Sequence, residues 1–99
     1  MARIFLQVDP RTLRLPPSRL DGADPIKLTR QISRFGIATE GMPAIIVFRD
    51  QAGEMMVWEG VTRATRVARL LPGSKVWVEV IREVRQDLGR FPTVEERLP

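Results

Sequence analysis

Trp58-Glu59-Gly60-Val61-Thr62-Arg63-Ala64-Thr65-Arg66 is the stretch on which the reading of this chain turns. Glu54 to Glu59 reads as a strand, and Gly60 breaks it. From Val61 the apolar period becomes helical, with Val61, Ala64, Val67, Ala68 and Leu71 at i, i+3, i+6, i+7 and i+10. A strand end, a glycine and a helix start follow one another, and Arg63 comes three residues after the glycine. Free N–H groups at a helix N-terminus attract anions, and glycine lets a phosphate come close to the backbone. Thr62 adds a hydroxyl donor. Arg63 is oddly placed for a purely structural role, because a cation in the first turn opposes the helix macrodipole by roughly 0.3–1 kcal/mol.

A helical wheel refines this. Arg63 falls between Leu70 and Val67, on the border of the apolar arc, and is expected half-buried. Arg66 and Arg69 fall on the opposite side, which is expected to face solvent and to offer weak, non-specific nucleic-acid contacts at most. A half-buried guanidinium needs a partner. That partner is either an internal carboxylate, Glu59 or Glu40, or a ligand anion.

Outward from this stretch the pattern continues. Ala44 to Phe48 is a continuous apolar run expected of a central strand, and the turn Arg49 to Gly53 joins it to Glu54–Glu59 as a hairpin. Pro72-Gly73 ends the helix. Lys75 to Arg82 alternates, with Val76, Val78 and Val80 on one face and Trp77, Glu79 and Ile81 on the other. On the N-terminal side, Ile4, Leu6 and Val8 alternate with Phe5 and Gln7 before Asp9-Pro10 stops the strand. Residues 9–23 are proline-rich and irregular, with Leu13, Leu15 and Leu20 as expected anchors on the core. Asp24-Pro25 is an N-cap followed by a first-turn proline, Leu28, Ile32 and Phe35 make one stripe, and Gly36 stops the helix. Residues 37–42 are a loop.

Towards the C-terminus, Val84 and Leu88 predict a short helix before Gly89, and Thr93 with Glu96 has capping-box spacing. The order strand, helix, strand, strand, helix, strand gives a small α+β domain with a mixed sheet and two main helices. Ninety-nine residues support one core, so 1–99 is one domain. Trp58 and Trp77 are expected in core or edge packing rather than stacked on bases. The Met55-Met56 pair is expected to fill the core rather than a partner surface.

Composition limits the chemistry. Cysteine, histidine and tyrosine are all absent. That excludes thiol chemistry, a histidine general base and the usual zinc ligands. Glu54 and Glu59 are the only acids near the central motif, so no paired carboxylates stand at metal-ligand spacing, no metal is expected and two-metal nuclease chemistry lacks its ligands. No apolar run reaches the ~20 residues of a membrane span, and the start lacks a secretory leader; a cytoplasmic protein without membrane contact is expected. The net charge is +4 and the cations are 14 Arg against 2 Lys, which suits phosphate and carboxylate recognition. A GC-rich genome would produce the same bias.

Pro43-Ala44-Ile45-Ile46-Val47, the turn Asp50 to Gly53, Val57 to Arg63 and Val76-Trp77-Val78-Glu79-Val80 together resemble the ParB/sulfiredoxin-like domain family. The resemblance covers about residues 3–82 and leaves 83–99 as a C-terminal extension. In that family the glycine-to-arginine turn holds the phosphates of CTP in chromosome-partitioning ParB proteins, and of ATP in sulfiredoxins and related kinases. The resemblance implies that Gly60, Val61, Thr62 and Arg63 bind the phosphates of a nucleotide. The cofactor it implies is a nucleoside triphosphate with magnesium. Val61 stands where sulfiredoxins need their cysteine, so that activity is excluded. Thr62 and Thr65 replace further arginines of the ParB pattern, and the helix-turn-helix module of ParB proteins is not in this stretch. No catalytic residue can be assigned; an enzyme of this kind would be a nucleotide hydrolase or a small-molecule kinase. The competing expectation is a protein-interaction module (an adaptor, antitoxin or immunity protein) that keeps the fold without the ligand. The third is a weak nucleic-acid binder or nuclease.

Overall fold

A computed structural model describes residues 2–99. The strands are β1 (Ile4–Val8), β2 (Ile45–Arg49), β3 (Met55–Glu59) and β4 (Val76–Glu83), and the helices are α1 (Pro25–Phe35) and α2 (Val61–Leu70). The strands form one sheet in the order β1-β4-β2-β3. β1 with β4 and β2 with β3 are antiparallel, whereas β2 and β4 are parallel. The chain is therefore a small α+β domain with a four-stranded mixed sheet and two helices. No helix among the described residues is long and apolar enough to cross a membrane.

The period-2 pattern of the central strands fixes which face is covered. Ile45, Val47, Val57, Val76, Val78 and Val80 point to one side and are buried with Ala64, Val67 and Ala68 of α2. Each such aliphatic side chain contributes roughly 1.5–3 kcal/mol on burial. The two alanines let α2 lie close to the sheet. Asp24 caps α1 by accepting from the N–H groups of Ile26 and Lys27, and Gly36 ends that helix with a positive φ of 52°. Of the stripe on α1, Leu28 is buried, whereas Phe35 is exposed.

The irregular segment after β1 behaves as an extra rung. Arg14 N–H donates to the Met55 carbonyl, Val57 N–H donates to the Arg14 carbonyl, and Val94 N–H donates to the Leu13 carbonyl. This covers the open edge of β3 and drives Leu13, Leu15 and Val94 into the core. Leu20 is not an anchor; it is exposed. Residues 84–92 are not the expected helix. The N–H of Val84 donates to the Arg49 carbonyl and that of Leu88 to Asp50 Oδ2 at 2.9 Å, which ties the chain as an irregular, bent segment to the hairpin end. The Thr93–Glu96 spacing makes its reciprocal hydrogen bonds, but around a single 3-10 turn, Glu95–Arg97.

Candidate functional site

The turn from β3 into α2 is built around Gly60, whose φ of +117° is a conformation that L side chains rarely adopt. The approach is also close. A Cβ at this position would sit 3.0 Å from Arg63 Nη2 and 3.2 Å from Ile45 Cγ1. Glycine is therefore required twice, once for the backbone and once because the Arg63 guanidinium folds back over it. The first hydrogen bond of α2 runs from Ala64 N–H to the Gly60 carbonyl, and no side chain caps the helix. The N–H groups of Val61, Thr62 and Arg63 are left free, as at any uncapped N-terminus.

These residues line a cavity of about 410 Å³ together with Pro16, Ser18, Arg19, Lys27, Gln31, Trp58 and Glu59. Three segments converge here: the chain before α1, the inner half of α1 and the start of α2. Among the described residues none of Arg19, Lys27 and Arg63 makes an ion pair. Asp24 feels the charges of Lys27 and Arg19, but its carboxylate is engaged at the helix cap. The hydrogen bonds from the Lys27 and Ile26 N–H groups hold its carboxyl below the usual range.

Arg63 is half-buried, as its place on the wheel predicted. Its partner is neither Glu59 nor Glu40. Nη2 donates to the Ala44 carbonyl at 3.2 Å, and Nε is buried without a partner. The internal ion pair weighed from the sequence is therefore not formed, and the guanidinium stands at the cavity wall with donors in hand.

No protein-family model, no curated protein and no solved structure matches this chain. The site is therefore judged on its own chemistry. Free amides, a threonine hydroxyl, an amide side chain and three cations against one carboxylate, Glu59, suit an anionic oxygen ligand. Among the described residues no group of carboxylates converges to hold a metal ion by itself.

Arg66 overturns its sequence expectation. It is only 2% exposed and cannot meet a nucleic acid; Arg69 does face solvent. Its Nη1 donates to the carbonyls of Gly36 at 2.7 Å and Ala38 at 2.9 Å, and its guanidinium lies 5.4 Å from the Phe35 ring centroid. Burial lowers its pKa from the ordinary value, yet an arginine stays charged. The wheel failed because it assumed one covered side. α2 rests on the sheet with one flank and on α1 with another, so the polar side of the wheel meets the end of a neighbouring helix. The signal that could have found this is Gly36, since a helix end leaves carbonyls that need a donor.

A second cavity of about 320 Å³ lies beside the first and is lined by Gln31, Phe35, Met42, Pro43, Arg63 and Arg66 among others. Gln31 and Arg63 border both cavities. Residues missed from the sequence are thus Arg19, Lys27 and Gln31, which only the packing of α1 brings to the Gly60 turn.

Proposed function

We propose that this chain is a cytoplasmic ParB/sulfiredoxin-like domain that binds a phosphate-bearing ligand, a nucleotide, at the turn from Gly60 to Arg63. One observation carries the reading: Arg19, Lys27 and Arg63, none of them in an ion pair among the described residues, line one cavity together with the uncapped start of α2. Cations left unpaired around an uncapped helix start repel one another and the helix dipole, and an anion relieves both terms. The cavity, at about 410 Å³, is within the range of small-molecule sites. Glu59 is the carboxylate that could share a magnesium ion with the phosphates, in the way such ions are commonly held. The proposed role is binding.

Titration calorimetry with CTP, ATP and GTP, with and without magnesium, tests the proposal. Binding by the wild type and its loss in Arg63→Ala, with the fold retained, is the expected result. Absence of heat with every nucleotide at millimolar concentration would overturn the reading.

A further inference from the structure

The sheet has one covered face, and the other is open. A one-sided sheet ordinarily alternates apolar residues inward with polar residues outward. Here the outward positions are Phe5 and Gln7 on β1, Trp77, Glu79 and Ile81 on β4, Ile46 and Phe48 on β2, and on β3 Met56, which is buried opposite Phe48, and Trp58, which also borders the cavity at the Gly60 turn. Trp58 is 62% exposed, Trp77 53%, Ile81 49% and Phe5 43%. Both tryptophans were expected to be packed, and both stand in solvent. Phe48 meets Trp58 with ring centroids 5.2 Å apart, so the aromatic surface is continuous between β2 and β3. With whole aromatic side chains at about 150–250 Å² each, these four side chains leave roughly 450 Å² of apolar surface exposed. That is within the roughly 300–600 Å² of the largest patch on a typical monomer, which is often functional.

The charges decide what covers it. Arg3 donates to both oxygens of Glu79 at 2.9 and 3.0 Å on this face, so these two charges cancel there. Arg82 makes no ion pair among the described residues, and it lies over the Phe48 ring. A chain with net charge +4 thus keeps this one surface close to neutral. A single-stranded nucleic acid would need free cations to track its phosphates beside the stacking rings, and the face withholds them. A second copy needs the reverse: an apolar, near-neutral face that can lie against itself. We infer that this face is the interface of a homodimer, two sheets packed face to face about a two-fold axis.

The area suffices. With Ile46, Phe48, Gln7, Arg3, Glu79 and Arg82 included, about 700 Å² per copy gives roughly 1,400 Å² in total, within the range of specific interfaces. At the two-fold axis the Arg3 and Glu79 groups of the copies can exchange partners without adding charge.

Sedimentation of the intact chain from micromolar to near-millimolar concentration, followed in parallel by tryptophan emission, tests this. Trp58 and Trp77 are the only tryptophans, so both reporters lie in the inferred interface. The expected result is a concentration-dependent dimer whose emission moves to shorter wavelength as it forms and which persists at high salt. Phe5→Thr with Trp77→Thr keeps strand propensity; it should be folded by circular dichroism and monomeric throughout. Three results would each overturn the inference. One is a wild type that stays monomeric with solvent-like emission to near-millimolar concentration. Another is a dimer that the double variant leaves intact. The third is a monomer whose emission is quenched by an oligonucleotide in a salt-sensitive way.

Discussion

Arg66→Ala removes a buried cation three residues from the candidate ligand-binding arginine, and the two should behave in opposite ways. The wild-type side chain supplies two charge-assisted hydrogen bonds, to the carbonyls of Gly36 and Ala38, and lies against Phe35. Hydrogen bonds to charged groups contribute about 1.5–3 kcal/mol each, and a cation over an aromatic ring about 0.5–2 kcal/mol. Against these stands the desolvation of a guanidinium whose Nε has no partner and which faces no carboxylate. Water can also reach the Ala38 carbonyl after truncation, since Ala38 is exposed. The net loss for Arg66→Ala is therefore about 2–4 kcal/mol, or roughly 10–25 °C in Tm for a domain of this size. Arg66→Met separates the two contributions: it restores packing without the bonds and should recover about half of the loss. Arg63→Ala gives up one long hydrogen bond to Ala44 and relieves a cation at the wrong end of the dipole, so its apo stability should stay within about 1 kcal/mol of wild type. Thermal and urea melts of the three apo variants read these values. An Arg66→Ala protein within about 0.5 kcal/mol of wild type would show that the guanidinium merely fills space, and the reasoning would fail.

Two other substitutions probe separate supports. Gly60→Ala places a Cβ 3.0 Å from Arg63 Nη2 at a φ of +117°, and backbone strain of this kind costs about 1–3 kcal/mol; thermal melts should show that loss, and calorimetry should show that nucleotide binding is lost with it. Asp50→Asn removes a carboxylate that accepts from the N–H groups of Leu88, Glu54 and Ala52, which lower its pKa, the Leu88 bond most. Because the folded value lies below the unfolded one, the stabilisation is fully present above about pH 4 and is lost as pH falls through the folded value. The gap in stability between wild type and Asp50→Asn, measured by urea melts from pH 7 to pH 2, should narrow on that acid limb. A gap that stays constant would remove the carboxylate's charge from the account.

Local periodicity carried most of the fold. The hairpin of β2 and β3, the faces of β4 and the limits of α1 could be read because each depends on spacing within one segment, as with Asp24-Pro25 at one end and Gly36 at the other. What could not be read depends on contacts between segments. Leu88 sits in a stretch whose apolar spacing suits a helix, but Asp50, 38 residues earlier, takes its N–H and ties it to the hairpin end. Arg66 occupies the polar side of its own wheel, and only the position of α1 makes that side an interior. Alternation correctly set Trp77 opposite Val76, Val78 and Val80; its burial was then expected from side-chain type, although it stands 53% exposed on the outer face. At the site, Gly60 to Arg63 could be read from one turn. Arg19, Lys27 and Gln31 come from two other segments and carry no local mark.

Arg63 and Arg66 of α2 also explain how a turn with so much unpaired charge can sit in so small a domain. Arg19, Lys27 and Arg63 repel one another in the absence of an anion, and α1 carries one of these charges on the cavity side. Left to that repulsion, α1 would move away from α2. It is held instead at its C-terminal end, where Arg66 of α2 binds the carbonyls of Gly36 and Ala38 that follow its last turn. The middle of the helix, with Gln31 facing both cavities, is thereby kept against the start of α2. A cation that would weaken the fold as Arg63 does is offset by one that strengthens it a single turn later, on the same helix and against the same neighbour. The nucleotide binding proposed for Gly60 to Arg63 should therefore weaken in Arg66→Ala although Arg66 borders only the second cavity, and calorimetry showing wild-type affinity in that variant would refute the link.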